Sequence, residues 1–225
     1  MAPYDGLNLG DHVGDEPAAV TANREALARS VPFAPDEPAQ WVWLRQVHGR
    51  DIVTAERAPA AVPEADGAVT ATVGLPLVVM TADCAPIALV ALDEHDGTAR
   101  AVGVVHAGWQ GLLAGVVEAG VVALRALHDG PVRAWLGPCV HAGRYEFGAA
   151  ALAPLVARFG PTVASRTEWG TPALDVPTAV GIALREAGVA QVVDVDVCTA
   201  ASPDHFSHRR DGVTGRQAVV VVRTR

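Results

Sequence analysis

Two histidines and a cysteine stand out in this chain because each closes an apolar run and is followed by small or chain-breaking residues. Trp41–His48 (WVWLRQVH) ends at His48 before Gly49, Leu77–Cys84 (LVVMTADC) ends in Asp83 and Cys84 just ahead of Pro86, and Ala101–His106 (AVGVVH) ends at His106 before Ala-Gly-Trp-Gln-Gly. Apolar runs of this length read as strands. Thiolate and imidazole are natural zinc ligands, and a structural zinc site closes with four of them. Three protein ligands leave one position for water, phosphate or substrate, which is the catalytic arrangement. Plainer roles compete: a strand cysteine is commonly a small core residue, and a strand-end histidine a hydrogen-bonding group. Cys84 and His106 could also form a nucleophile–base pair. The spacing leaves these alternatives open.

Other chemistries are excluded by what is missing. No G-x-S-x-G elbow surrounds Ser30, Ser165, Ser202 or Ser207, and no G-x-G-x-x-G follows a strand. All 17 basic residues among the 225 are arginine, with no lysine anywhere. A Schiff base to a carbonyl or pyridoxal group is therefore impossible, as is a Gly-Lys-Ser/Thr phosphate loop. Any bound phosphate must rest on arginine, backbone N–H groups or a metal. With 25 acidic residues and a net charge of −8, the chain lacks the concentrated positive charge that nucleic-acid and membrane-surface binding require. The acidic, Gly-containing start is not of the signal-peptide kind. Three widely spaced cysteines make a poor disulfide framework, so a reducing, cytoplasmic setting is expected.

The elements that would position these residues can be read in outline. A short helix is expected near Val20–Ala28, and strands at Trp41–Val47, Ile52–Thr54, Leu77–Ala82, Ile87–Leu92, Ala101–His106, Val132–Leu136, Val189–Val197 and Gln217–Arg223. Ala58–Gly67 reads as a connection ending in an Asp66-Gly67 turn. Helices are expected at Gln110–His128, Phe147–Phe159 and Val176–Ala187, the last with Asp175 as N-cap and Gly188 past its end. Strands mixed with helices, including hairpin neighbours, give an α/β fold with mixed sheets in a single domain spanning residues 1–225. Nothing in the pattern asks for a second copy, so a monomer is expected.

TADCAPIAL, VGVVHAGWQGLLAG, RQVHG, WLGPC…YEFG, CT and FSHRRDGVTGRQA, in chain order, resemble the YfiH-like family. That family is called laccase-domain or polyphenol oxidase in older usage and purine nucleoside phosphorylase in newer usage. The likeness runs from NLGDHVGD to the last strand. It implies a layered α/β/β/α fold, and it implies that His48, Cys84 and His106 are a His–Cys–His set for Zn2+, with copper able to take the same place. The implied activities are phosphorolysis of adenosine, inosine and methylthioadenosine, plus deamination of adenosine. The implied partners are therefore purine nucleosides and phosphate, with no nucleic acid or membrane. His208 before Arg209, where the family more often has an aromatic residue, and His141 after Gly-Pro-Cys, where a small residue is usual, depart from the family pattern.

The implied chemistry assigns further residues. Phosphate would be held by Arg45 or Arg209, or by free amides at the start of the helix after His106. Strict alternation puts Arg45 on the face opposite Gln46 and His48, so it reaches the site only if the strand bends near Val47. Arg210 reads as solvated surface charge. Asp83 is the nearest acid for the proton transfers of deamination, or else it organises the main chain around Cys84. The usual deaminase signature, H-x-E with P-C-x-x-C, is absent. Several copper centres would need many imidazoles in His-x-His pairs, but no two of the 8 histidines are one residue apart.

Overall fold

The computed structural model describes residues 3–189 and 191–224. In chain order the strands are β1 Ile52–Thr54, β2 Gly67–Thr70, β3 Leu77–Thr81, β4 Ala85–Leu92, β5 Ala99–Ala107, β6 Val132–Leu136, β7 Ala164–Arg166, β8 Pro172–Leu174, β9 Gln191–Asp194 and β10 Gln217–Val221. The α-helices are α1 Pro17–Ser30, α2 Trp109–Ala114, α3 Val116–Leu127, α4 Ala149–Phe159, α5 Val176–Glu186 and α6 His208–Asp211. Among the described residues no helix is long and apolar enough to cross a membrane.

The main sheet has six strands in the order β1-β2-β5-β4-β6-β9, with parallel pairing at both edges and antiparallel pairing in the middle. Alternation along β4, β5 and β6 sends Ile87, Leu89, Val105, Ala134 and Leu136 to one face, where α2, α3, α4 and α5 cover them. Val102 and Val104 point the other way, onto Leu77 and Val79 of an antiparallel β3–β10 ribbon. The far side of that ribbon, Val78 and Met80, packs on Trp41, Trp43 and Ala28 of α1. The result is the layered α/β/β/α arrangement that the resemblance implies.

Several expectations are corrected. Trp41–Val47 is not a strand but an extended segment with isolated bridges, Val42 to Leu77 and Arg45 to Glu64. It bonds first to the β3 side and then to the chain at Pro63 and Ala65, so no continuous ladder forms. The expected helix Gln110–His128 is two helices, because Gly115 takes φ +85° and redirects the axis between α2 and α3. The connection through Gly67 ends in an unpredicted interior strand, β2, fully buried although only four residues long. The short β7–β8 hairpin and α6 were also unpredicted. β7 is exposed along its length, which leaves no apolar alternation to read. The last two predicted strands are shorter than expected, and position 190 within Val189–Val197 lies outside the described residues. Asp175 caps α5 as expected, accepting from Thr178 N at 2.9 Å.

Candidate metal centre

Asp66 builds the histidine half of the site. Its carboxylate is fully buried. Oδ1 accepts from His48 N (2.9 Å) and lies 2.8 Å from His106 Nδ1, while Oδ2 accepts from Val47 N (3.2 Å) and Gly49 N (2.6 Å). One side chain thus holds the turn that carries one histidine and the ring of the other. It also explains how His48 keeps φ +60°, a backbone region that non-glycine residues rarely occupy. Three successive N–H groups converge on the carboxylate only if the chain curls there. Gln46 adds a tether, with Nε2 donating to Met80 O at 2.7 Å and Oε1 accepting from Met80 N at 2.8 Å.

A second buried aspartate sets the cysteine. Asp83 sits at φ +99°. Its Oδ1 accepts from Thr199 Oγ1 (2.6 Å) and Ser207 Oγ (2.7 Å), and its Oδ2 from Arg209 N (2.5 Å). Those bonds turn the chain out of β3 so that Cys84 faces the histidines at the start of β4. Cys84 Sγ lies 3.7 Å from His48 Nε2, and the two imidazole rings stand edge to face, 4.8 Å apart. One donor atom from each of the three residues lies within 4.8 Å of the others. Two ligands of a tetrahedral zinc with one sulfur and one nitrogen are separated by about 3.5 Å, so the observed spacing and the N/S donor set both fit that ion. Among the described residues this is the one such group of His, Cys, Asp or Glu.

The electrostatics suit a ligand set. Burial by itself would raise the Cys84 thiol, but the charge and hydrogen bonds of His106, with help from His48, bring it down to about 6. For His106 burial opposes the cation, and is outweighed by Cys84 and Asp66, which lift it to about 9. With no metal bound, both shifts favour the charged thiolate–imidazolium form of the pair over the neutral one. By contrast, burial pushes the Cys139 thiol above its ordinary range, which makes it inert.

Gly108 is where the three segments come closest. A Cβ there would meet His48 Cδ2 at 2.6 Å and Cys84 Sγ at 3.1 Å. We expect Gly108→Ala to push the ligands apart and weaken metal binding about tenfold, the usual scale of an overpacking penalty. Titration against a chelating indicator measures it, and an unchanged affinity would show that the ligand cage has slack.

The three candidate donors open onto a cavity of about 670 Å3 also lined by Arg24, Arg45, Arg216, Trp43, Met80 and Thr81. Arg45 does reach it, because the chain here is not a regular strand and the alternation argument lapses. Its side chain is exposed and pairs with Glu64 Oε2 at 3.5 Å. Arg209 is not among the lining residues. Its guanidinium lies 4.7 Å over the Tyr145 ring. Asp83 does not line the cavity either; its carboxylate is taken up by the Thr199 and Ser207 hydroxyls and the Arg209 N–H. Arg210 is no loose surface charge: it donates to the carbonyls of Thr199, Ser202 and His205 and pairs with Asp211. Sequence reasoning missed Asp66, Gln46, Arg24 and Arg216. The only cue to Asp66 was the dipeptide read as a turn.

A family model described as multi-copper polyphenol oxidoreductase laccase matches residues 1–224. The chain belongs to this family. Within reach of it are a protein named purine nucleoside phosphorylase SCO2081 from Streptomyces coelicolor, 47% identical over 220 residues, covering 96% of this chain and 87% of the relative. Another is named purine nucleoside phosphorylase YfiH, from Shigella flexneri, 38% identical over 220 residues, with coverage of 97% and 86%. Among solved structures, YlmD from Geobacillus stearothermophilus superposes with a TM-score of 0.87 at 32% identity, covering 100% of this chain and 87% of that one. A DUF152 protein from Neisseria meningitidis gives 0.85 at 32%, covering 99% and 88%. The family's layered fold is the one described above.

Proposed function

We propose that this protein is a zinc-dependent purine nucleoside phosphorylase that converts adenosine, inosine or methylthioadenosine and phosphate to the free base and ribose 1-phosphate, and that it also deaminates adenosine. The observation that carries the reading is a three-donor metal set in the wall of an arginine-lined cavity of about 670 Å3, a size in the ordinary range for small-molecule sites. Relatives named purine nucleoside phosphorylase support it. Phosphorolysis breaks the bond from ribose C1′ to the purine nitrogen, whose electron pair leaves with the base, and joins C1′ to a phosphate oxygen. The arginines bind and orient the anion against the developing positive charge of the sugar. Asp66 fixes the His106 ring so that Nε2 faces inward as a ligand. Zinc, when bound by His48, Cys84 and His106, supplies Lewis acidity and a more acidic water. The same reading takes it as a cytoplasmic monomer with one catalytic domain, and the free cysteines suit a reducing compartment.

Zinc-loaded protein given adenosine and phosphate is expected to release adenine and ribose 1-phosphate, with inosine appearing when phosphate is omitted. Loss of a ligand in His106→Ala should cost more than the 10–100-fold (order of magnitude) that outer-shell partners cost. Chromatography of the products checks both. No adenine from the zinc-loaded protein sinks the phosphorylase reading. Copper binds such N/S sets strongly, and the family description mentions copper. A phenol-oxidase reading would instead require oxygen uptake in proportion to tightly bound copper.

A further inference from the structure

Thr81 and Arg216 meet the cavity from the same end of the β3–β10 ribbon. Thr81 pairs with Gln217 in register, so Arg216 lies one residue beyond that pair. Thr81 is 2% exposed, and its Oγ1 has no hydrogen-bond partner among the described residues. A buried hydroxyl without a partner is costly and uncommon in folded proteins. Thr81 shares its strand face with Leu77 and Val79, which pack on Val102 and Val104 of β5, and His106 follows those valines on the same face. The residue therefore lies between the sheets, in the cavity wall that also holds His48, Cys84 and His106.

Arg216 is equally under-compensated. Among the described residues no carboxylate lies within ion-pairing distance of it, whereas Arg24 pairs with Asp11 at 3.2 Å and Arg45 with Glu64 at 3.5 Å. Both its side-chain hydrogen bonds leave from Nη1, to Thr214 O (3.0 Å) and Gly215 O (2.9 Å), so Nε and Nη2 keep donors for a ligand. The chain around Asn8 fixes the residue. Asn8 Oδ1 accepts from Arg216 N at 2.9 Å, Leu9 N donates to Arg216 O at 3.0 Å, and a Cβ on Gly10 would meet Arg216 Cγ at 2.8 Å. Burial lowers the pKa of this guanidinium from its ordinary value and outweighs the opposing charges of Cys84 and Asp83.

We propose that Thr81 Oγ1 and the Arg216 guanidinium form the phosphate subsite of the reaction, next to the His–Cys–His set. The proposal rests on the phosphorolytic reading and adds to it the residues that hold the anion. A half-buried guanidinium that lacks a carboxylate and a buried hydroxyl that lacks an acceptor together offer a fork of N–H donors plus one O–H. Inorganic phosphate satisfies all of them, while a ribose hydroxyl leaves the cation unmatched.

The test is steady-state phosphorolysis with phosphate and adenosine varied separately, together with thermal unfolding in increasing phosphate. Thr81→Val keeps the shape and removes the hydroxyl. It should raise KM for phosphate about tenfold while KM for adenosine stays within about twofold. Thr81→Ser should restore the wild-type value. Arg216→Gln should raise the phosphate KM further, and Gly10→Ala should raise it without removing charge. Phosphate should raise the Tm of wild type and Thr81→Ser but not of Thr81→Val. An adenosine KM that moves in place of the phosphate KM assigns the hydroxyl to the nucleoside and overturns the proposal, as does no change in either. If wild type releases no ribose 1-phosphate, the phosphorylase reading fails by itself. The anion subsite then stands on the Tm shift and falls if Thr81→Val keeps that shift.

Discussion

Cys84→Ala is expected to purify without stoichiometric metal and without phosphorolytic activity, while remaining folded. The cysteine is half-buried just before β4, so truncating it removes one donor from a cavity wall and leaves the central core intact. Zinc sites with four ligands bind with about 10–16 kcal/mol, so one thiolate carries about 3 kcal/mol, on the order of a hundredfold in affinity. The metal-free wild type supplies an independent check. Its Cys84 thiol, drawn down to about 6 by His106 and His48 against the effect of burial, should react with iodoacetamide with a midpoint near pH 6. Zinc should protect it. Metal binding should weaken as the pH falls below about 9, where a proton competes for the His106 nitrogen, and more steeply below about 6, where a second competes for the sulfur. Elemental analysis and mass spectrometry of alkylated protein decide the matter. A metal-free enzyme that is still active, and is killed by alkylation, would make Cys84 a nucleophile and not a ligand.

The three residues that come together as candidate donors were visible in the sequence as local features, each ending an apolar run before a small or breaking residue, although that pattern alone fits a core thiol or a nucleophile–base pair as well. What holds them was not. Asp66 acts on His48 from 18 residues away and on His106 from 40, and a carboxylate followed by glycine looks the same in any turn. The segment Trp41–His48 alternates like a strand, yet its partners change along its length. Pairing depends on neighbours that the segment's own pattern does not encode. The break at Gly115 was hidden by apolar residues that keep helical spacing on both sides. Arg45 turned on the same point: alternation assigns faces only where a ladder exists, and without one its side chain reaches the cavity, as the condition set on it required. Arg216 and Thr81 gave no signal, since their significance lies in partners they lack.

Asp66→Asn carries the other large effect, and it acts through two neighbours at once. In the wild type Oδ1 serves His48 N and His106 Nδ1, and Oδ2 serves Val47 N and Gly49 N. An amide of the same shape keeps one oxygen and turns an NH2 toward two donors, leaving those groups buried and unpaired. Each such loss costs about 1–3 kcal/mol, and the curl at His48 loses what holds it at φ +60°. The His106 ring loses its orienting acceptor, so metal affinity should fall about 10–100-fold even though no ligand has changed. The pH dependence has a definite sign. Burial would raise the Asp66 carboxyl, but the His106 hydrogen bond and charge and the backbone N–H groups of Gly49 and Val47 hold it below the ordinary 3.8. A depressed carboxylate stabilises the fold fully above its unfolded value and ceases to do so as the pH falls through its folded one. The stability gap between wild type and Asp66→Asn should therefore be full at neutral pH and close below 3.8. Denaturant unfolding of metal-free protein across that range measures the gap. If it stays constant to low pH, Asp66 acts by shape alone and the clamp assigned to its charge is wrong.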